Sequence, residues 1–302
     1  TRKRTGLSAT LDYDFSDRAY VYLRGMYNNF IDDETRRRLI YSLDDALNHR
    51  TYLYGDVERD VKDRIKDQQV NTISFGGAFK LSIFSIDYEG AYSIASEEQP
   101  NRLEALFESP GHGINIKFDD SDPNWPVATF PNEKGYEDAH NFAEYDLDEL
   151  LLEESNIKDQ NITYKANIEV PYTIGFEHQG FFKFGGKVRY KEKTRDVNTH
   201  IYGAYYSNSL LYPDKTEKLS LLTVDDGFSE SNFLNHGYEL EYMVSPTLMR
   251  DFYESAPHHF IYDRTSTLTN SAGEDYDAKE DIYSLYGMFK HDWNNLMVSG
   301  GM

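Results

Sequence analysis

Residues 4–30 read RTGLSATLDYDFSDRAYVYLRGMYNNF. Two alternating runs flank the polar triplet Ser16-Asp17-Arg18. In the first, Leu7, Ala9, Leu11, Tyr13 and Phe15 fall on one side, and Gly6, Ser8, Thr10, Asp12 and Asp14 on the other. In the second, Ala19, Val21, Leu23, Gly25 and Tyr27 oppose Tyr20, Tyr22, Arg24, Met26 and Asn28. Side chains alternate sides along a strand. Each run therefore predicts a strand with one apolar and one wet face, and the tight polar turn predicts an antiparallel hairpin. Whether the apolar face touches a protein core or lipid decides the fold.

The pattern recurs. Residues 57–68 read polar on both faces. Beyond them Ile73, Phe75, Gly77 and Phe79 oppose Thr72, Ser74, Gly76 and Ala78, a strand expected to project beyond a bilayer. After a turn at Lys80-Leu81-Ser82, Phe84, Ile86, Tyr88, Tyr92 and Ile94 oppose Ser85, Asp87, Glu89 and Ser93. Ile162, Tyr164, Ala166, Ile168 and Val170 then oppose Asn161, Thr163, Lys165, Asn167 and Glu169. GFEHQG turns the chain into Phe182, Phe184, Gly186, Val188 and Tyr190, opposite Lys183, Gly185, Lys187, Arg189 and Lys191. The last hairpin carries Tyr283, Leu285, Gly287 and Phe289, turns at HDWNN, and leaves through Leu296, Val298, Gly300 and Met302.

Eight spans in four hairpins result. Short turns alternate with connections of about 25, 60 and 70 residues, the asymmetry of outer-membrane barrels, whose periplasmic turns are short and outer loops long. The connections read as irregular. Pro100 opens the second one, and Pro110, Pro123, Pro126 and Pro131 forbid a central strand across it. Within it, DLDELLLEE predicts a short helix. In the third, Ser245 as N-cap and Pro246 at the first helical position predict another. Aromatics crowd the turn ends at Phe15, Tyr20, Phe79, Phe84, Phe289 and Trp293, as an interfacial girdle requires.

Composition agrees. Tyr (25) and Phe (18) supply much of the apolar character, and mean hydropathy is only −0.69. No window approaches the roughly 20 apolar residues of a spanning helix, whereas a barrel strand needs only ~10 alternating ones. Without cysteine there is neither a disulfide scaffold nor a thiolate metal site. Net charge is −21, and thirteen acidic residues between 119 and 159 face only Lys134 and Lys158. No basic stripe exists to neutralise phosphates, which argues against nucleic acid. The chain opens on Thr1-Arg2-Lys3-Arg4 without an initiator Met and stops at Met302 within an alternating run, so a fragment of something longer is expected.

These residues resemble a known family. GLSATLDYDFSDRAYVYLRGMYNNFIDDETRRR, GDVERDVKDR leading into SFGGAFKLSIFSIDYEGAYSIASEEQP, FFKFGGKVRYKEKTRD and YDAKEDIYSLYGMFKHDWNNLMVSGGM resemble the β-barrel of TonB-dependent outer-membrane receptors. The matching segments cover about half the chain, and the long loops match only in position and composition. The resemblance implies an all-β, antiparallel transmembrane β-barrel of 22 strands, of which residues 1–302 would supply about eight, without plug domain, coupling peptide or C-terminal strands. It implies a place in the outer membrane of a Gram-negative bacterium, with outer-membrane lipid, the plug domain and the TonB energy-coupling complex as partners. It implies active import of a nutrient ligand, an oligosaccharide or a ferric siderophore. The acidic loops would repel an anionic siderophore complex, which tilts the expectation toward a neutral oligosaccharide.

In such a receptor the charged inner faces hold the plug and line the ligand path. The candidates are Asp12, Asp14, Arg24, Asp87, Glu89, Lys165, Glu169, Lys183, Lys187, Arg189 and Glu280, against the plainer expectation of lumen charges paired across strands. Outer loops carry specificity, so Trp125, Phe130, Tyr205, Tyr206 and Tyr212 are candidate stacking partners for a sugar or catecholate ring. Asp119-Asp120-Ser121-Asp122 offers oxygen ligands but lacks EF-hand spacing. His258-His259, near Glu254, point to opposite sides of an extended chain, so no metal site is assigned, and no cofactor. Gly76-Gly77 and Gly185-Gly186 lie inside strands and predict close packing rather than phosphate cradles. Nothing resembles G-x-S-x-G or H-E-x-x-H, and the chain is read as a non-enzyme. Two alternatives stand: a self-contained eight-stranded barrel with a structural or adhesive role, and a soluble carbohydrate-binding β protein.

Overall fold

The chain folds around one long antiparallel meander. In the computed structural model, residues 1–43, 46–48, 50–110, 113–175, 178–205, 220, 223–225, 227–293 and 295–302 are described. Eight strands make up the path: β1 (Arg2–Ser16), β2 (Ala19–Leu43), β3 (Thr51–Lys80), β4 (Ser85–Glu108), β5 (Asp146–Ile174), β6 (His178–Tyr205), β7 (Tyr276–Trp293) and β8 (Leu296–Gly301). Each pairs with its sequence neighbours, in the order β1-β2-β3-β4-β5-β6-β7-β8. Among the described residues β1 and β8 have one neighbour each, so the sheet is open and no closed barrel forms. The eight alternating runs and their all-β, antiparallel arrangement are as the sequence predicts. The short turns stand at Asp17–Arg18 and between Lys80 and Ser85, where the Leu81 amide donates to the Phe84 carbonyl at 2.8 Å. No helix among the described residues is long and apolar enough to cross a membrane.

The strands run far past the alternating segments. β3 holds 30 residues, roughly 100 Å at ~3.3 Å per residue. Residues 31–43 are not irregular but extend β2, paired without interruption from Ala19↔Phe79 to Leu43↔Gly55. Their alternation is hidden because charged residues occupy both faces and find partners only across strands. Thr35 donates to Asp63 at 2.8 Å, Arg38 to Asp60 at 2.6 Å and Arg64 to Glu34 at 2.8 Å. Cross-strand pairs of this kind stabilise a sheet without a hydrophobic pattern.

Two expectations fail in the second connection. β4 passes through Pro100 to Glu108, the proline falling where the register with β5 slips between Gln99 and Arg102. A bulge frees the amide that proline lacks. DLDELLLEE is strand, not helix: it begins β5, pairing with residues 102–108 on one side and, from Leu150, with β6 on the other. Leu147, Leu150 and Leu151 are buried there, and tertiary burial overrides the local helical spacing. Pro110, Pro123, Pro126 and Pro131 stay outside the long strands, as expected.

Helix α1 (Glu133–His140) starts at Asn132, whose side chain accepts from the Gly135 amide at 2.6 Å. Helix α2 (Pro246–Ser255) begins as predicted, Ser245 Oγ accepting from the Leu248 amide at 3.4 Å. Helix α3 (Arg264–Glu274) is capped by Asp263, which accepts from the Ser266 amide at 2.9 Å. Parts of the second and third connections, with α1 and α2, close one buried core over the far ends of β3–β6. It contains Val57, Val61, Leu103, Phe107, Ile116, Tyr145, Leu150, Met249 and Phe260. Residues 57–68 are thus not polar on both faces, since Val57 and Val61 sit in this core.

Candidate functional site

The register sorts the sheet into two faces of opposite chemistry. Directly opposed residues of an antiparallel pair point the same way. One continuous row runs Leu11↔Leu23↔Phe75↔Gly90↔Tyr164↔Val188↔Tyr283. The next runs Tyr13↔Val21↔Gly77↔Tyr88↔Ala166↔Gly186↔Leu285. All eight apolar runs therefore share one side, and along each strand the band is about nine residues tall, close to the ~9–11 of a membrane-spanning strand. Its side chains are uncovered: Leu7, Leu11, Phe75, Phe184 and Leu285 are all exposed, Leu285 at 89%. Toward the turns it is rich in rings, with Phe79 stacked on Tyr88 (6.0 Å, 9°) and Tyr172 against Phe182 (5.1 Å). Tyr20, at the same turn end, lies on the other face as its place in the alternation predicts, opposite Asp14 and stacked with Tyr22 at 6.4 Å.

Above the band the same side turns polar. Asp67↔Glu98↔Asn156↔Asp196 and Gln69↔Ser96↔Lys158↔Thr194 form a hydrophilic waist. Higher still it becomes apolar again at Val61↔Ala105↔Leu150↔Tyr202, where the core of the third tier covers it.

The opposite face carries the charges, with scattered apolar residues such as Met26 and Ile282 among them. All eleven predicted charged residues fall on it, in rows such as Asp12↔Tyr22↔Gly76↔Glu89↔Lys165↔Lys187 and Asp14↔Tyr20↔Ala78↔Asp87↔Asn167. Most are paired across strands. Lys165 lies 3.3 Å from Glu89, which also accepts from the Tyr22 hydroxyl at 2.5 Å. Lys183 sits between Glu169 (3.7 Å) and Asp87 (3.9 Å), and Arg189 meets Glu280 at 2.8 Å. Arg24 lies 3.9 Å over the Tyr22 ring. These half-exposed pairs fix the register of neighbouring strands and add little stability singly.

Further up, a denser network of charges was missed by sequence reading. Asp60, its side chain 4% exposed, accepts from Arg38 (2.6 Å) and Arg36 (3.3 Å). Glu104 takes Lys62 at 2.9 Å and Arg102 at 3.1 Å, and Arg102 also holds Glu153 at 2.9 Å. Burial pushes the Glu104 carboxyl up, but Lys62 and Arg102 outweigh it and hold it below the usual range. Glu58 and Glu149 go the other way: burial, with Asp148 nearby, raises both.

The glycine pairs serve close approach, as predicted. A Cβ on Gly76 would stand 2.4 Å from the Tyr22 hydroxyl, and one on Gly185 2.1 Å from the Asn167 side chain. A cross-strand tyrosine lying over a glycine protects it from solvent and pins register.

The loop candidates do not gather in one place. Trp125 stacks face to face on His236 at 3.4 Å. Phe130 packs instead with Tyr41 (6.3 Å) and His140 (5.4 Å). The backbone of Tyr205 pairs with Phe260, while Tyr206 and Tyr212 lie outside the described residues. In the acidic run Asp119 and Asp122 accept from the Ser121 and Asn124 amides at 3.0 Å, and Asp120 pairs with Arg50 at 2.6 Å. Among the described residues no group of three or more His, Asp or Glu is placed to hold a metal ion. No family model, curated protein or solved structure matches the chain.

Proposed function

We propose that the chain is a portion of the β-barrel of a TonB-dependent outer-membrane receptor whose parent binds and actively imports a nutrient ligand, an oligosaccharide or a ferric siderophore. The observation that carries the membrane reading is the tiering of one sheet face. An uncovered apolar band about nine residues tall gives way to a polar waist, and then to an apolar zone that the chain covers itself. A soluble sheet of this size would have its lower band covered as its upper one is, because a bare apolar surface spanning eight strands drives association in water. Lipid supplies that cover, and the rim aromatics sit where headgroups would be.

Every backbone group at membrane depth must be paired internally, so the two open edges call for further strands of a larger barrel. A self-contained eight-stranded barrel would pair β1 with β8, and among the described residues each has a single neighbour. The polar face, with its eleven charged residues, would line the lumen and meet the plug. Energy coupling and import belong to the parent and rest on the resemblance of the strand segments.

Two measurements test this. The protein should fractionate with outer membranes and leave them only in detergent; a monodisperse species in plain buffer would sink the membrane reading. A deletion strain should lose growth on at least one iron or glycan source, and unchanged growth on all of them would remove the transport role.

A further inference from the structure

On the covered tier, a cleft of about 570 Å³ opens between the sheet and the segments around α1 and residues 237–242. This lies within the roughly 300–1,000 Å³ usual for small-ligand clefts. Its walls are aromatic. Tyr41 meets Phe118 edge-on at 5.8 Å and Phe130 at 6.3 Å, and Tyr136 stacks on His140 at 4.1 Å.

Arg59 also lines it, and that residue is the anomaly. It is 3% exposed, and its guanidinium donates to main-chain carbonyls, those of Glu241 and, at 3.4 Å, Ala139, with the Tyr145 side chain also within its reach. The rings of Tyr145 and Phe142 lie 5.4 and 5.8 Å away. Among the described residues no carboxylate pairs with Arg59, and its Nε has no partner. A buried cation without a counter-charge is costly, and carbonyls and ring faces offset that cost only in part. In a chain with 52 acidic and 31 basic residues, where Arg36, Arg38 and Arg102 are all paired, the exception is informative.

We propose that this cleft binds an acidic sugar: a pyranose ring that stacks on the aromatic walls and delivers its carboxylate to Arg59. A planar guanidinium receives a carboxylate through charge-assisted hydrogen bonds. Glu239 and Glu241 line the same cleft and suit the remainder of such a ligand, accepting from its hydroxyls. They would repel a compact polyanion such as a phosphate, whereas a sugar acid presents one anionic end and a neutral hydroxylated periphery. The cleft lies on the tier that shares the apolar side of the sheet, not on the polar face. It is therefore a site separate from the lumen path, and it does not depend on the import reading.

The test is calorimetric titration of the intact chain in detergent micelles with galacturonic acid oligomers and, in parallel, the matching neutral galactose oligomers. The neutral series should bind at least about tenfold more weakly, the minimum expected when a charge-assisted hydrogen bond is lost. Arg59→Gln should abolish that preference. Because this change removes a buried contact, Phe130→Ala on the cleft wall serves as a second variant, expected to weaken acidic-oligomer binding while the circular dichroism spectrum stays that of the folded wild type. Equal affinity for both series, no binding of either by the wild type, or an undiminished acidic preference in folded Arg59→Gln would overturn the proposal. Growth on iron or glycan sources plays no part in the readout, so its failure is separable from that of the import reading.

Discussion

Leu23 and Met26 sit three residues apart on β2, are of similar size, and are 44% and 46% exposed. They differ in face: Leu23 lies between Leu11 and Phe75 in the apolar band, Met26 between Ser8 and Thr72 on the polar side. In water, replacing either by arginine falls among surface substitutions, within about 0.5 kcal/mol. In a bilayer the two sites separate. An arginine on the lipid face near mid-depth costs about 2–4 kcal/mol, while lumen positions tolerate charge. Leu23→Arg should therefore shift the folding equilibrium by roughly 30- to 1,000-fold relative to Met26→Arg. The measurement is a denaturant titration of the parent protein refolded into phosphatidylcholine vesicles, followed by heat-modifiable migration and by tryptophan fluorescence. Equal midpoints for the two variants, or a less stable Met26→Arg, would refute the assignment of the apolar band to lipid.

Asp60→Asn should lower stability by about 2 kcal/mol, toward the modest end for a buried carboxylate with two arginine partners because Arg38 is half exposed; the denaturant midpoint reads it. Gly76→Ala places a methyl 2.4 Å from the Tyr22 hydroxyl and 2.6 Å from the Tyr88 carbonyl oxygen, and should cost about 1–3 kcal/mol by the same assay. The pH response has two opposing parts. Glu104, held low in the folded state, contributes stability above the ordinary carboxylate range that is lost as pH falls through its lowered value. Glu149, raised in the folded state, carries a penalty present above its raised value and absent below the ordinary range. Glu149→Gln should therefore raise the melting temperature at pH 7 and leave it unchanged at pH 3, and a fall at pH 7 would contradict the burial argument.

Strands whose two sides differ in polarity were legible. β1, β2, β5 and β6 each announce themselves through about nine alternating residues, and register carries that alternation across the whole sheet. The overhang was not. Residues such as Arg36, Asp60, Lys62 and Glu104 look like solvated charge until their cross-strand partners are known, and those partners lie 22 or more positions away. DLDELLLEE misled because three adjacent leucines fit a helix stripe as well as a strand buried on both sides. The eleven charged residues were correctly assigned to one face, since parity along a strand suffices for that. The aromatic cleft was out of reach, for Tyr41 on β2, Phe118, Phe130 and Tyr136 come from stretches far apart in the chain, and only the fold brings them together. Arg59, amid the acidic residues of VERDVKDR, gives no sign that it will pair with no carboxylate among the described residues.

The unbroken neighbour-to-neighbour order of the meander also dictates how such a sheet assembles. β1 and β2 are separated by two residues, β6 and β7 by about 70. Each doubling of a loop adds about 0.6 kcal/mol of closure entropy, so the second pairing starts about 3 kcal/mol behind the first. The four short-turn hairpins are therefore the kinetic units, formed early and locally, and their mutual docking along the long-loop seams is the slow step. Of those seams, β2–β3 carries the Arg36–Asp60, Arg38–Asp60 and Arg64–Glu34 pairs, β4–β5 the Arg102–Glu153 and Lys165–Glu89 pairs, and β6–β7 the Arg189–Glu280 pair. Charges that sequence reading passed over, Arg36, Arg38, Asp60 and Glu153 among them, thus stand where hairpins must recognise one another in the right order and register.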